Sequence, residues 1–343
     1  MIKKTTASFI LVVLLILFFD IDVTQLTDNA VNYLFHKEEL MEQAQQPQLS
    51  SGTITVNQKS VSIGDSLDQV LGTFGDAMDT LASEYGFTWY VFHKDYHDYI
   101  QIGMDGDRAV SVYTNSPNFD CKGVRMGMSV DDVRFIFGEP IEYIQKGMVR
   151  YTRNSVVGGQ HECDWFDYDG LYINVFYDVF KNNTVTSVHI IEKDTEMKLT
   201  GNYGAASSAL ADSFEKQNFY AVNALRVREG LPATQWSDQM RKVALGHSRD
   251  MAENDYFDHT DLDGNNILQR AQKAGVKFST VAENLASGGQ NGIVMHELLM
   301  NSEGHRHNVL GDYRFLGVGV AFNEENRPFL TQNYYSPQKI VIG

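Results

Sequence analysis

The chain has 343 residues, 43% of them hydrophobic and 12% aromatic, which supplies sizeable cores and excludes global disorder. The length suggests two domains, or three. A formal net charge of -16 with no long Lys/Arg run argues against nucleic acid and against an anionic membrane surface, since both need a basic face.

In chain order, Lys3 and Lys4 precede an uninterrupted apolar run from Phe9 to Phe19. That run has the length of an export signal and falls short of the ~20 residues that span a bilayer. Residues 1–23 therefore read as a signal peptide or an uncleaved signal anchor. The positive flank keeps the N-terminus inside and sends the rest out. Membrane contact is expected through this segment only, and residues 24–51 read as a linker.

Residues 52–193 contain an internal repeat. Ile63-Gly64-Asp65-Ser66-Leu67, closing at Phe74-Gly75, returns 63 residues later as Met126-Gly127-Met128-Ser129-Val130, closing at Phe137-Gly138. Ser66 and Ser129 stand where a helix would be capped, with Gln69 and Asp132 placed to complete the box. Gly75 and Gly138 stop the helices. Strand-like runs follow at Trp89–Phe92, Tyr99–Ile102, Ala109–Tyr113, Leu171–Phe176 and Val185–Ile190. Hairpin turns are expected at Asp105-Gly106 and Asn182-Asn183. The unit is helix plus antiparallel sheet, twice. It carries no catalytic cluster: His93, His97 and His161 are scattered. Its expected role is to bind a protein partner or position its neighbour.

Residues 194–209 read as an interdomain linker, and 210–343 as a second domain. Helices are predicted over Phe214–Arg228, from a Ser237 cap through Met251, over Ile267–Ala274 and over Ile293–Asn301. Strands are predicted at Phe315–Phe322 and Pro328–Tyr335. The fold class is α+β, with helices leading and an antiparallel sheet closing a layered sandwich. Cys121 and Cys163 form one disulfide or remain two buried thiols, because spacing alone does not decide.

Several motifs fail. His296-Glu297 begins like a zinc-protease helix, but Met300 takes the second histidine position. Asp261-Leu262-Asp263-Gly264 lacks the order of a calcium loop. No Gly-x-Ser-x-Gly nucleophile motif is present.

The specific pattern lies in the second domain. Asn223-x-x-Arg226, Trp236, Ala244-x-x-His247-Ser248, Tyr256-Phe257-x-His259, Arg270, Glu283-Asn284, Ser302-x-Gly304-His305-Arg306-x-Asn308 and Gly317-x-Gly319 occur in order. This resembles the CAP superfamily of cysteine-rich secretory, antigen 5 and pathogenesis-related proteins, in its bacterial secreted branch with a CAP-associated N-terminal domain. The resemblance implies an α-β-α sandwich with a cleft holding two histidines and two glutamates. His259, Glu283 and His305 match three of them. The other glutamate has no counterpart; Asn266 stands near its place, with Asp261 and Asp263 the closest acids.

Two neutral imidazoles, His259 and His305, can bind a divalent ion, zinc first, leaving positions open for water or a ligand. Glu283 can orient that water or act as a base. Asn284 and His247 complete the candidate cleft, His247 as a wall residue on a helix. The expected function is an exported binding module holding a metal and a small lipid or cell-wall-derived ligand. A metal-assisted hydrolase with Glu283 as base, and a purely structural envelope protein, are the alternatives.

Overall fold

The computed structural model describes residues 36–37, 52–153, 155–157 and 160–338. The expected export segment 1–23, and nearly all of 24–51, lie outside the described residues. Among the described residues no helix is long and apolar enough to cross a membrane.

Helices α1 (Leu67–Phe74) and α2 (Val130–Phe137) have matching starts and stops. The Ser66 and Ser129 hydroxyls accept from the backbone N–H of Gln69 and Asp132, and those side chains return to the cap N–H. Each helix ends at a glycine, Gly75 with φ 85 and Gly138 with φ 86, a backbone region that a β-carbon would strain.

Strands β1 (Thr53–Val56) and β2 (Lys59–Ser62) precede α1. It is followed by β3 (Asp79–Ala82), β4 (Thr88–Phe92), β5 (Ile100–Asp105), β6 (Arg108–Thr114), β7 (Phe119–Cys121) and β8 (Val124–Arg125). After α2 come β9 (Tyr143–Lys146), β10 (Val149–Thr152), β11 (Ser155–Val157), β12 (Gln160–Tyr168), β13 (Leu171–Asp178) and β14 (Thr184–Glu192). The strands that follow the two helices join edge to edge through β14 and β6, giving the order β11-β12-β13-β14-β6-β5-β4-β3.

Every residue of β13 is buried, so both faces of this sheet are covered. Alternation decides which residue goes where. Ile100, Ile102, Val112, Ile173 and Ile190 pack with Val70 and Val133 of α1 and α2. Trp89, Tyr99, Tyr113, Trp165 and Phe176 face the other way and pack with Ala221, Ala224 and Ile293 of the second domain.

The segment expected as linker is only partly free chain. Helix α3 (Lys193–Lys198) occupies its start, and Glu196 is fully buried, ion-paired to Lys146 at 2.8 Å and Arg153 at 2.9 Å. Cys121 and Cys163 remain two buried thiols on different sheets; the disulfide alternative does not hold.

The second domain runs α4 (Ser208–Arg228), β15 (Gln235–Trp236), α5 (Asp238–Asn254), α6 (Ile267–Lys273), β16 (Phe278–Ser287), α7 (Gly292–Met300), α8 (Glu303–Val309), β17 (Phe315–Phe322) and β18 (Pro328–Pro337). Its sheet has the order β15-β17-β18-β16. Leu316, Val318 and Val320 point at α4, while the intervening Gly317 and Gly319 lie against α5. A β-carbon on Gly319 would stand 2.1 Å from Leu245 N, so the missing side chains set the helix-to-sheet distance. The sheet is thus sandwiched between helices. The sequence pattern predicts neither β16 nor α8, and these two elements carry Glu283 and His305.

Candidate functional site

Glu283 sits in the middle of β16, opposite Asn333 of β18. Its side chain is buried, and both carboxylate oxygens are engaged. Oε1 lies 3.0 Å from His259 Nδ1, and Oε2 accepts from Arg270 Nη2 at 2.5 Å. With its amide turned as its neighbours require, Asn333 also donates to Oε2 at 3.1 Å.

His259 comes from the loop between α5 and α6, and its side chain is more than half exposed. Arg270 fixes that loop as well, donating from Nη1 to the carbonyls of His259 (3.0 Å) and Asn265 (2.7 Å). His247 joins through the backbone. It is buried in α5, and Nε2 donates to the carbonyl of Asp258 at 2.9 Å, immediately before His259.

His305 lies on α8, which two asparagines fasten to β16. Asn284 Nδ2 donates to the His305 carbonyl at 3.1 Å and to Gln332 Oε1 at 2.9 Å. Asn308 Nδ2 donates to the Glu283 carbonyl at 3.2 Å and to Asn284 Oδ1 at 2.9 Å. Gln332 continues the network to Asn218 of α4 at 2.6 Å. The cleft is therefore set by buried amides that tie α4, β16, β18 and α8 together.

The two imidazoles are electrostatically distinct. The Glu283 hydrogen bond, reinforced by the carboxylate charge, raises His259 above the ordinary histidine range. Burial, and then the nearby His259 charge, lower His305. Burial and the Arg270 charge lower His247. His305 is neutral at physiological pH and available as a nitrogen donor.

Among the described residues no group of three or more His, Cys, Asp or Glu side chains comes together to hold a metal ion. The donors left at this site are ring nitrogens, His259 Nε2 and the His305 imidazole. That set suits a borderline ion such as zinc and not calcium or magnesium, which need oxygens. Glu283 on His259 Nδ1 would then be the carboxylate that fixes the ring and its tautomer.

The acids near the place of the missing glutamate do not replace it. Asn266 caps α6. Asp261 accepts from Asn265 through both oxygens, and Asp263 is exposed. His296 and Glu297 face the first domain, where Glu297 accepts from Tyr113 at 2.7 Å and Ser187 at 2.6 Å. Sequence reasoning gave no role to Arg270, although it stands in the ordered motif between His259 and Glu283. An arginine at one fixed place among acids and histidines was the available signal.

Comparison with known proteins identifies the two domains. Residues 63–201 match the model of the CAP-associated N-terminal domain, and residues 219–334 match that of the cysteine-rich secretory protein (CAP) family. The chain carries a CAP domain behind a CAP-associated N-terminal domain. The uncharacterized membrane protein YlbC of Bacillus subtilis (strain 168) is 28% identical over 293 residues, covering 79% of this chain and 82% of its own length. An extracellular protein containing a SCP domain from Bacillus anthracis str. Ames superposes with TM-score 0.70 at 25% identity, over 85% of this chain and 97% of its own. A cysteine-rich secretory protein of Staphylococcus aureus shares the fold at TM-score 0.61 and 16% identity, over 80% of this chain and 93% of its own.

Proposed function

We propose that this is an exported, extracytoplasmic binding protein and not a hydrolase. Its CAP cleft takes a divalent ion, zinc first, on His259 and His305. The ion's open positions accept a small lipid or cell-wall-derived ligand. The observation that carries this reading is the double engagement of Glu283. One oxygen holds His259 and the other holds Arg270, so the carboxylate has no free oxygen aimed at a water. A hydrolase using Glu283 as base would have to work through an oxygen that already holds His259 or Arg270. YlbC is a membrane protein and the Bacillus anthracis protein is extracellular, which supports a location outside the cytoplasm, in line with the export pattern of residues 1–23.

A second reading has its own support. The buried chain Asn308–Asn284–Gln332–Asn218 is what a purely structural cleft would also need. Zinc calorimetry on the full chain, compared with a His259→Ala, His305→Ala double variant, separates the two. Saturable binding of one ion, lost in a folded variant, supports the binding protein. Identical heats in both proteins would leave the cleft as scaffold.

A further inference from the structure

Helix α8, which carries His305, is seven residues long, and its N-cap Ser302 makes no side-chain cap bond. A helix this short gains little from its own hydrogen bonds and takes its position from what it is fastened to. Asn284 and Asn308 fasten it to β16. A second set of fastenings comes from the first domain.

Strand β13 ends at Asp178, and the turn Val179–Lys181 follows. Arg306, the neighbour of His305, donates to both oxygens of Asp178, Nη1 to Oδ1 at 3.0 Å and Nη2 to Oδ2 at 2.9 Å. The pair is nearly closed to water, with side-chain exposures of 14% for Arg306 and 6% for Asp178. The same guanidinium lies over the Phe180 ring and reaches the Met300 carbonyl, at the end of α7, at 3.4 Å. Asn301, between α7 and α8, serves the end of β13 as a strand partner would. Its Nδ2 donates to the Tyr177 carbonyl at 2.9 Å, and its Oδ1 accepts from the Val179 N–H at 3.2 Å.

Two parallel charge-assisted bonds fix orientation as well as distance. Asp178 is itself held, since Oδ1 also accepts from the Phe180 N–H at 3.0 Å. The turn has one more ion pair, Lys181 to Glu229 at 2.7 Å, but that lysine is half exposed, and exposed pairs of this kind hold little. The buried fork of Arg306 on Asp178 is the contact able to orient α8.

We propose that Asp178 of the first domain is a positioning residue for the CAP cleft: through Arg306 it orients α8 and so sets where the His305 imidazole stands. The cleft is complete only with the first domain docked on it.

The test follows the His305 ring in the full chain by NMR with ring-labelled histidine, its signal identified by its loss in His305→Gln. Zinc affinity by calorimetry is a second readout and rests on the reading of the cleft as an ion site; the ring signal does not. Asp178→Asn keeps an acceptor for Phe180 and removes the charge. It should shift the His305 signal and weaken zinc at least fivefold. Lys181→Gln removes the exposed ion pair of the same turn and should leave both readouts as in wild type. In an Arg306→Gln background, Asp178→Asn should have no further effect, which a general loosening of the seam would not reproduce. An unmoved His305 signal in folded Asp178→Asn overturns the proposal, as does an equal shift in Lys181→Gln. Should Asp178→Asn not fold, Asn301→Ala takes its place, with a shifted signal expected and an unmoved one decisive against. A shifted signal in a protein that binds no zinc upholds the positioning role and removes the ion from the cleft.

Discussion

Arg270 holds Glu283 from behind, with Nη2 at 2.5 Å from Oε2, and the two side chains bury each other. The guanidinium thereby links three pieces of chain: β16 through Glu283, the His259 loop through a carbonyl, and its own helix α6. Arg270→Met would leave a buried carboxylate with His259 as its remaining charged partner. Removing one member of a buried pair typically costs about 3 kcal/mol or more. We predict a loss of that order in urea unfolding. The Arg270 charge also opposes protonation of His259, so the variant's His259 should titrate higher than wild type. Histidine proton shifts followed by NMR against pH check this; an unmoved His259 would deny the coupling.

Much of the frame was legible because it rests on local signals. Ser66 and Ser129 followed three residues later by Gln69 and Asp132 give the helix starts, and the glycines give the stops. Glu283 was placed by motif, but its strand was not. In β16 the buried residues fall in one run, Glu283 to Ala286, and that run includes a charge and an amide, so no period-2 pattern appears. Its pairing with β18 is nonlocal and leaves no mark on either segment alone. For the same reason Arg270 could be seen in the motif while its partner could not. The close packing of the two domains was equally hidden: Tyr113 and Ser187 reach Glu297 across more than a hundred residues of chain.

The position of His305 depends on Asn284. Its amide nitrogen serves the His305 carbonyl and Gln332, and its oxygen serves Asn308, all inside the protein. Asn284→Ala strips these groups of a partner at once. A buried polar group left unsatisfied costs about 1–3 kcal/mol, so a loss of about 2 kcal/mol is expected in thermal or urea unfolding. With α8 released from β16, zinc affinity should fall by more than in a variant of equal stability loss elsewhere. If affinity simply tracks stability, the asparagine does not position the histidine.

Two glycines that face opposite sides of α5 predict opposite outcomes. Gly319→Ala puts a carbon 2.1 Å from the Leu245 backbone nitrogen, and backbone on both sides cannot step aside. Overpacking of this kind costs about 1–3 kcal/mol and occasionally more, and the higher end is expected here. Gly246→Ala, within the helix and facing open space, should gain roughly 0.5–1 kcal/mol from helix propensity. Melting temperatures of the two variants check the pair. Equal effects would mean that α5 does not lie against β17 as described.

Glu84 offers a test of the seam between the two domains. Its Oε1 accepts from Asn291 at 2.5 Å, at the start of α7, while Oε2 is buried with no partner. Burial outweighs the Asn291 bond and raises the carboxyl from 4.5 to about 7. Between those values the folded protein holds a proton that the unfolded chain has released. Stability contributed by this group therefore falls as pH rises through that window, then levels off above it. His189 and His296, buried and neutral with values near about 4 and about 3, act in the opposite sense as pH falls below 6.5. They are common to wild type and variant and cancel in the comparison. Glu84→Gln removes only the carboxyl penalty. Relative to wild type it should be nearly neutral at about pH 5 and more stable at about pH 8, by up to about 3 kcal/mol. Urea midpoints at the two pH values decide the matter. A variant whose advantage does not grow with pH would show that Glu84 reaches solvent, and that the seam is looser than its hydrogen bonds describe.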